Sequence, residues 1–281
     1  MKLSRLVLIL SVFAFVNACS LFSHKEETKP TESTPAAAPL KTEDDGAAEA
    51  QTPASTEEVV WSYEGETGPE HWGDLKPEFI QCKEGKEQSP VDLIYKKPLS
   101  DRPLEIHYQP TAATIVDTGH TIQVNFAAGN VLQVDGKTYT LTNAVFHTAS
   151  EHTISGNRLP LEIQLNHQAD DGSMAVLAVI MIDGSSHPVI EALWQNMPIQ
   201  KETEKELNFK IDPSDLIPKT RTYYHYMGSL TTPPCTEGVS WNVFNTPLTL
   251  SAEQIKSFRA LYPSNNRPAQ PLNGRTTTNY R

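Results

Sequence analysis

The stretch YHYMGSLTTPPCTEGVSW, residues 224–241, carries the most specific information in the chain. It contains Cys235, one of three cysteines, and runs into Val239–Phe244, an apolar, β-branched and aromatic segment. Segments of the same kind recur upstream at Thr114–Val116, Thr121–Phe126, Val131–Val134, Tyr139–Phe146, Leu161–His167 and Met174–Ile182. Asp135-Gly136, Asp171-Gly172 and Asp183-Gly184 punctuate them as turn signals. Helical signals are few. Asp212-Pro213 can cap and open one short turn ending near Leu216, and Ser251–Tyr262 begins with a capping pattern. Residues 61–281 therefore read as one mainly β (α+β) domain of short strands, without internal repeat or composition break.

The N-terminal residues differ. Lys2 and Arg5 precede Leu6–Val16, an apolar run interrupted only by Ser11, too short for a membrane span and suited to a signal-peptide core. Val16-Asn17-Ala18-Cys19 resembles a bacterial lipobox, which predicts a signal at 1–18 and a lipidated Cys19 that anchors the chain to a membrane. Lipidation of Cys19 also accounts for the odd cysteine and leaves Cys82 and Cys235 as one even pair. Residues 19–60 then read as a tether. From Ser23 to Val60, Pro, Ala, Thr and Glu dominate, with three lysines against nine acids. Such a composition buries too little apolar surface to offset the entropy of ordering. Its reach as a flexible coil is on the order of 35 Å. The net charge of −11 and the absence of any Lys/Arg cluster exclude nucleic acid as a partner.

Beyond 224–241, the motifs GPEHW (68–72), QSPVDL (88–93), GH (119–120), SEH (150–152) and NNRPAQPL (265–272) occur in that order. Together these motifs closely resemble the α-class carbonic anhydrases, from Trp61 nearly to the C-terminus. The resemblance implies a central, twisted, mostly antiparallel ten-stranded sheet with a few short helices and a conical cleft. It also implies a Cys82–Cys235 disulfide.

In that family three histidines hold a zinc ion and leave a fourth position open for water, whose pKa falls from 15.7 to about 7. Register from Ser150-Glu151-His152 places His147 on the second ligand position and Val145 on the first. Glu162-Ile163-Gln164-Leu165-Asn166-His167 places Gln164 on the third. His152 and His167 fall on structural positions of the wall. A one-residue slip would turn the side chains to the other face of the sheet, so neither substitutes as a ligand. Family-equivalent catalytic positions are His120 (proton shuttle), Glu151 and Thr231 (orientation of the nucleophile). The expected pocket is Tyr63, Gln123, Thr232, Leu230, Val176, Val239 and Trp241, with Asn166 replacing an apolar wall residue.

Without the metal, forming hydroxide costs almost nine pKa units more, roughly 12 kcal/mol. The expectation is a domain without zinc or any other cofactor and without carbon dioxide hydration. It would act as a binding or structural component of the bacterial cell envelope, facing the periplasm, with an envelope protein or glycan as partner. Ser20, where an aspartate would favour inner-membrane retention, directs the expectation to the outer membrane. The alternative is an active periplasmic carbonic anhydrase with zinc in a nonstandard site.

Overall fold

The computed structural model describes residues 60–281 except 98–99. The signal at 1–18, Cys19 and all of the tether but Val60 lie outside the described residues.

The segments with alternating apolar residues form strands. Ala113–Asp117 and Ile122–Phe126 each bury every second side chain, and the two pair antiparallel. Val131–Val134 turns into Lys137–His147 through Asp135 and Gly136, at φ 51° and 73°. Two successive left-handed residues make the two-residue hairpin whose twist matches that of the strands, and an Asp-Gly pair tolerates it. Lys137–His147 pairs with Leu161–Gln168, which pairs with Met174–Asp183, both antiparallel. Met174–Asp183 is buried along nearly its whole length. Its far edge pairs parallel with Glu237–Phe244, the strand at the end of the 224–241 stretch.

Among the described residues, twelve strands form the main sheet, and Asp92–Leu93 pairs with Thr153–Ile154 in a separate two-stranded one. The ten strands implied by the resemblance are exceeded because short edge pieces join, among them Glu105–His107, Glu204–Glu206 and Thr278–Tyr280. Most pairings are antiparallel, as expected. Both helical expectations hold. Asp212 caps a short 3-10 turn at Pro213–Leu216, and Ser251 and Gln254 form a reciprocal capping box on Ala252–Leu261. A further helix, Pro188–Trp194, packs against the latter, with Trp194 stacked on Phe258 at 5.2 Å between centroids.

The sheet separates two cores by parity. Ile115, Val124, Phe146, Leu165 and Leu177 join the large core under the helices. Val176, Ala178, Val239, Trp241 and Val243 join a smaller one with Val91 and Leu93 on the other face. A third cluster surrounds the disulfide Cys82–Cys235, whose Cα atoms lie 5.0 Å apart, and includes Trp72.

Candidate functional site

The same parity builds the site. Ala144 and Phe146, and Ile163 and Leu165, point into the large core. Val145 and His147, and Gln164 and Asn166, therefore point to the opposite face, where they line a cavity of about 310 Å³. Leu141 would share the Val145 face in a regular strand, yet it lies in the large core. A register shift between Leu141 and Asn143, opposite His167 and Asn166, reverses the alternation at that point. Such a bulge re-aims side chains beside a site, and here it turns Leu141 away into the core while Asn143 stays on the cavity face with Val145.

The three positions that match the ligand positions of the resembled family come together as register requires. Val145 and Gln164 are direct cross-strand partners, and His147 stands two residues along from Val145. His147 is 2% exposed. Its Nδ1 lies 2.7 Å from the carbonyl oxygen of Asn265. A carbonyl only accepts, so Nδ1 carries the proton and Nε2 a lone pair. That Nε2 is buried without a hydrogen-bond partner. Asn265 further anchors the strand end, accepting from the Thr148 amide at 2.7 Å and donating to the Phe146 carbonyl at 2.8 Å.

Two buried carboxylates lie behind this row. Glu151 Oε1 accepts from the Arg267 backbone amide at 2.9 Å, and Oε2 accepts from Gln164 Nε2 at 2.8 Å. Glu162 accepts from the backbone amide of His152 and from its Nδ1, both at 2.8 Å. It also accepts from Gln164 Nε2 at 3.0 Å. Burial pushes the Glu162 carboxyl up, but the charge and hydrogen bonds of His152 outweigh it and hold the group at about 2. Gln164 thus spends both amide hydrogens on carboxylates. Among the described residues the Thr231 hydroxyl makes no hydrogen bond, and both oxygens of Glu151 accept from other donors.

Tyr63, His120, Gln123, Leu230, Thr231, Thr232 and Trp241 line the cavity as expected. Val176 and Val239 do not. They are 1% and 2% exposed and lie in the smaller core, covered from the cavity. His120 stacks on Trp61 with centroids 3.7 Å apart. Its burial, with Lys201 nearby, lowers its pKa, so the ring is neutral at pH 7. Burial, with Glu151 and Tyr262, pushes the Tyr63 phenol well up and keeps it protonated. Trp61, Thr118, Thr121 and Asn143 also line the cavity and were not foreseen. For Asn143 the signal was present, since it precedes Val145 by two residues on the same strand. His152 and His167 lie away from the cavity, hydrogen-bonded to Glu162 and Tyr108 respectively.

As a metal centre the donor set falls short. Catalytic zinc takes three protein ligands. Here the row supplies one imidazole nitrogen and one amide oxygen, and Val145 supplies nothing. Among the described residues no group of three or more His, Cys, Asp or Glu is arranged to hold an ion.

Residues 67–281 match the family model for eukaryotic-type carbonic anhydrase. A carbonic anhydrase of Pectobacterium carotovorum is 40% identical over 223 residues, covering 79% of this chain and 91% of that protein. The structure of a hyperthermostable carbonic anhydrase from a hydrothermal vent chimney superposes with a TM-score of 0.76 at 46% identity. It covers 79% of this chain and 100% of that one. A dioscorin solved with ascorbate superposes with a TM-score of 0.73 at 33% identity, covering 79% and 98%.

Proposed function

The chain belongs to the α-class carbonic anhydrase family, and we propose that it is a member without zinc chemistry, serving as a lipid-anchored binding component of the bacterial cell envelope. One observation carries the reading. At the three ligand positions stand Val145, His147 and Gln164, and the amide of Gln164 is already committed to Glu151 and Glu162. A lone imidazole leaves water near its ordinary pKa, and neither Thr231 nor Glu151 lowers that by nine units. What remains of the site is a cavity with hydrogen-bonding walls. The dioscorin complex supports the reading in kind, since a protein of this fold holds a small organic molecule. The lipobox at Val16–Cys19 and the acidic tether supply anchor and reach, which suit a partner in the envelope better than a diffusing gas.

A second reading, an active carbonic anhydrase with a nonstandard metal site, draws on the unpartnered Nε2 of His147 and on the names of the relatives. Elemental analysis of the full chain, with stopped-flow carbon dioxide hydration on the same sample, separates the two. The first reading expects no stoichiometric zinc and hydration at the buffer rate. One tightly held zinc per chain with inhibitable hydration establishes the second. Cys19→Ala should release the protein from membranes into the soluble periplasmic fraction. Unchanged membrane retention removes the anchor from the proposal.

A further inference from the structure

The cavity has a chemistry that loss of a metal ligand does not by itself explain. None of its lining residues is Asp, Glu, Lys or Arg. Four carboxamides, Gln123, Asn143, Gln164 and Asn166, converge there from three adjacent strands. An ion withdrawn from water needs a counter-charge, so a wall of this kind selects an uncharged ligand.

The hydrogen-bonding pattern narrows it further. At the least exposed end stand two acceptors without partners. His147 Nε2 is buried and unpaired, and its other nitrogen is held by Asn265. Gln164 is 3% exposed and spends both N–H groups on carboxylates, so only its Oε1 is free for a ligand. Both call for a donor. Farther out, Asn166 gives one N–H to Asn143 Oδ1 at 2.8 Å, and Gln123 gives one to Asn125 Oδ1 at 2.6 Å. Each keeps a second N–H and its own oxygen, and so can both donate and accept. Val145, Leu230 and Trp241 add an apolar surface to the same cavity.

A ligand that is neutral, donates and accepts at several vertices, and carries C–H faces between polar edges is a polyhydroxylated ring. The geometry points to a binding site for one uncharged sugar unit in this cavity, an inference that rests on the zinc-free reading above. A hydroxyl donating to His147 Nε2 or Gln164 Oε1 would satisfy the buried acceptors. Its neighbours would meet the amide edges of Asn166 and Gln123. At about 310 Å³ the cavity stands at the small end of the roughly 300–1,000 Å³ of small-molecule sites, room for one ring and not for a chain of them.

The test uses the full chain, purified in a detergent without a sugar headgroup, and saturation-transfer NMR with glucose, galactose and N-acetylglucosamine. Zinc is measured on the same sample. The expected result is a saturable signal from at least one sugar in zinc-free protein, weakened about tenfold by Asn166→Val. Val145→Phe, which fills the cavity with an apolar ring, should abolish it, and circular dichroism confirms that each variant folds. Zinc-free protein that saturates with none of the three sugars overturns the inference and leaves the zinc-free reading standing. So does binding that both folded variants leave unchanged. Stoichiometric zinc overturns both.

Discussion

Gln164 donates its side-chain amide to Glu151 at 2.8 Å, and the same nitrogen donates to Glu162 at 3.0 Å. One neutral group thereby serves two carboxylates that are both fully buried. A buried carboxylate deprived of a donor is costly, more so than a neutral acceptor. The amide thus stabilises the interior behind the cavity without any metal.

Gln164→Leu, close in size but without donors, should therefore destabilise the domain by about 3 kcal/mol, lowering the melting temperature by roughly 6–12 °C. Gln164→Glu should be worse at neutral pH, since it sets a third carboxyl beside the two, and should recover in part on acidification. Denaturant unfolding of wild type and both variants checks this. A melting temperature unchanged in Gln164→Leu would mean that the two carboxylates find donors elsewhere.

Acid should unfold the protein in two overlapping windows. His167 is fully buried, and burial lowers its pKa to about 4 from an ordinary 6.5. The unfolded chain takes up that proton first, so stability is lost as pH falls from 6.5 towards 4. For Glu162, burial acts to raise the pKa, but His152 overcomes it and the group sits at about 2, against 4.5. Its contribution is present above 4.5 and lost as pH falls towards 2, roughly 3 kcal/mol in all. Unfolding free energy measured from pH 7 to 2 should show both losses. Glu162→Gln should be less stable at pH 7 but should flatten the lower window, and His167→Gln the upper. A slope unaltered by either substitution assigns the acid sensitivity to other groups.

Cys82 and Cys235 are bonded across a separation of 153 residues. Cross-linking residues so far apart restricts the unfolded chain by about 5 kcal/mol in the loop-entropy model. The bridge is also knit to the site, because Arg267 donates to the Cys82 carbonyl at 2.8 Å while its backbone amide serves Glu151. Replacing both cysteines by serine should lower stability by several kcal/mol and leave the secondary structure intact at 25 °C. Equal melting temperatures in the two proteins would assign the bridge no stabilising role.

What the sequence disclosed was what local chemistry encodes. The Asp135-Gly136 hairpin and the Ser251–Gln254 box are short-range devices, and the alternation of Ile122–Phe126 follows directly from burial on one face. Motif order then placed Val145, His147 and Gln164 together. The reversal after Leu141 was not legible, because a bulge changes pairing without needing a distinctive residue. Nor was the exclusion of Val176 and Val239 from the cavity, which depends on their packing with Trp241 and Leu230 in the smaller core rather than on strand parity. Glu204–Glu206 escaped because it is exposed throughout and shows no alternation. The grip of Asn265 on His147 spans 118 residues, a relation no local pattern expresses.

Restoring the metal site is the most direct trial of the zinc-free reading. Val145 and Gln164 face each other across paired strands with His147 beside them, so Val145→His with Gln164→His sets three imidazoles in one cluster. The double variant should bind about one zinc per chain, and Val145→His alone should bind none tightly. Imidazole has one N–H where the amide had two, so Glu151 or Glu162 loses a donor and the metal-free variant should be less stable than wild type. Zinc at a hundredfold excess over its dissociation constant should then return about 2.7 kcal/mol, seen as a melting temperature that rises with zinc and falls with a chelator. Hydration activity should stay low even when metal is bound, because Asn166 puts a carboxamide into the apolar wall, and it should rise on adding Asn166→Val. A double variant that folds but takes up no zinc would show that the scaffold around Glu151 and Asn265 no longer holds ligand geometry.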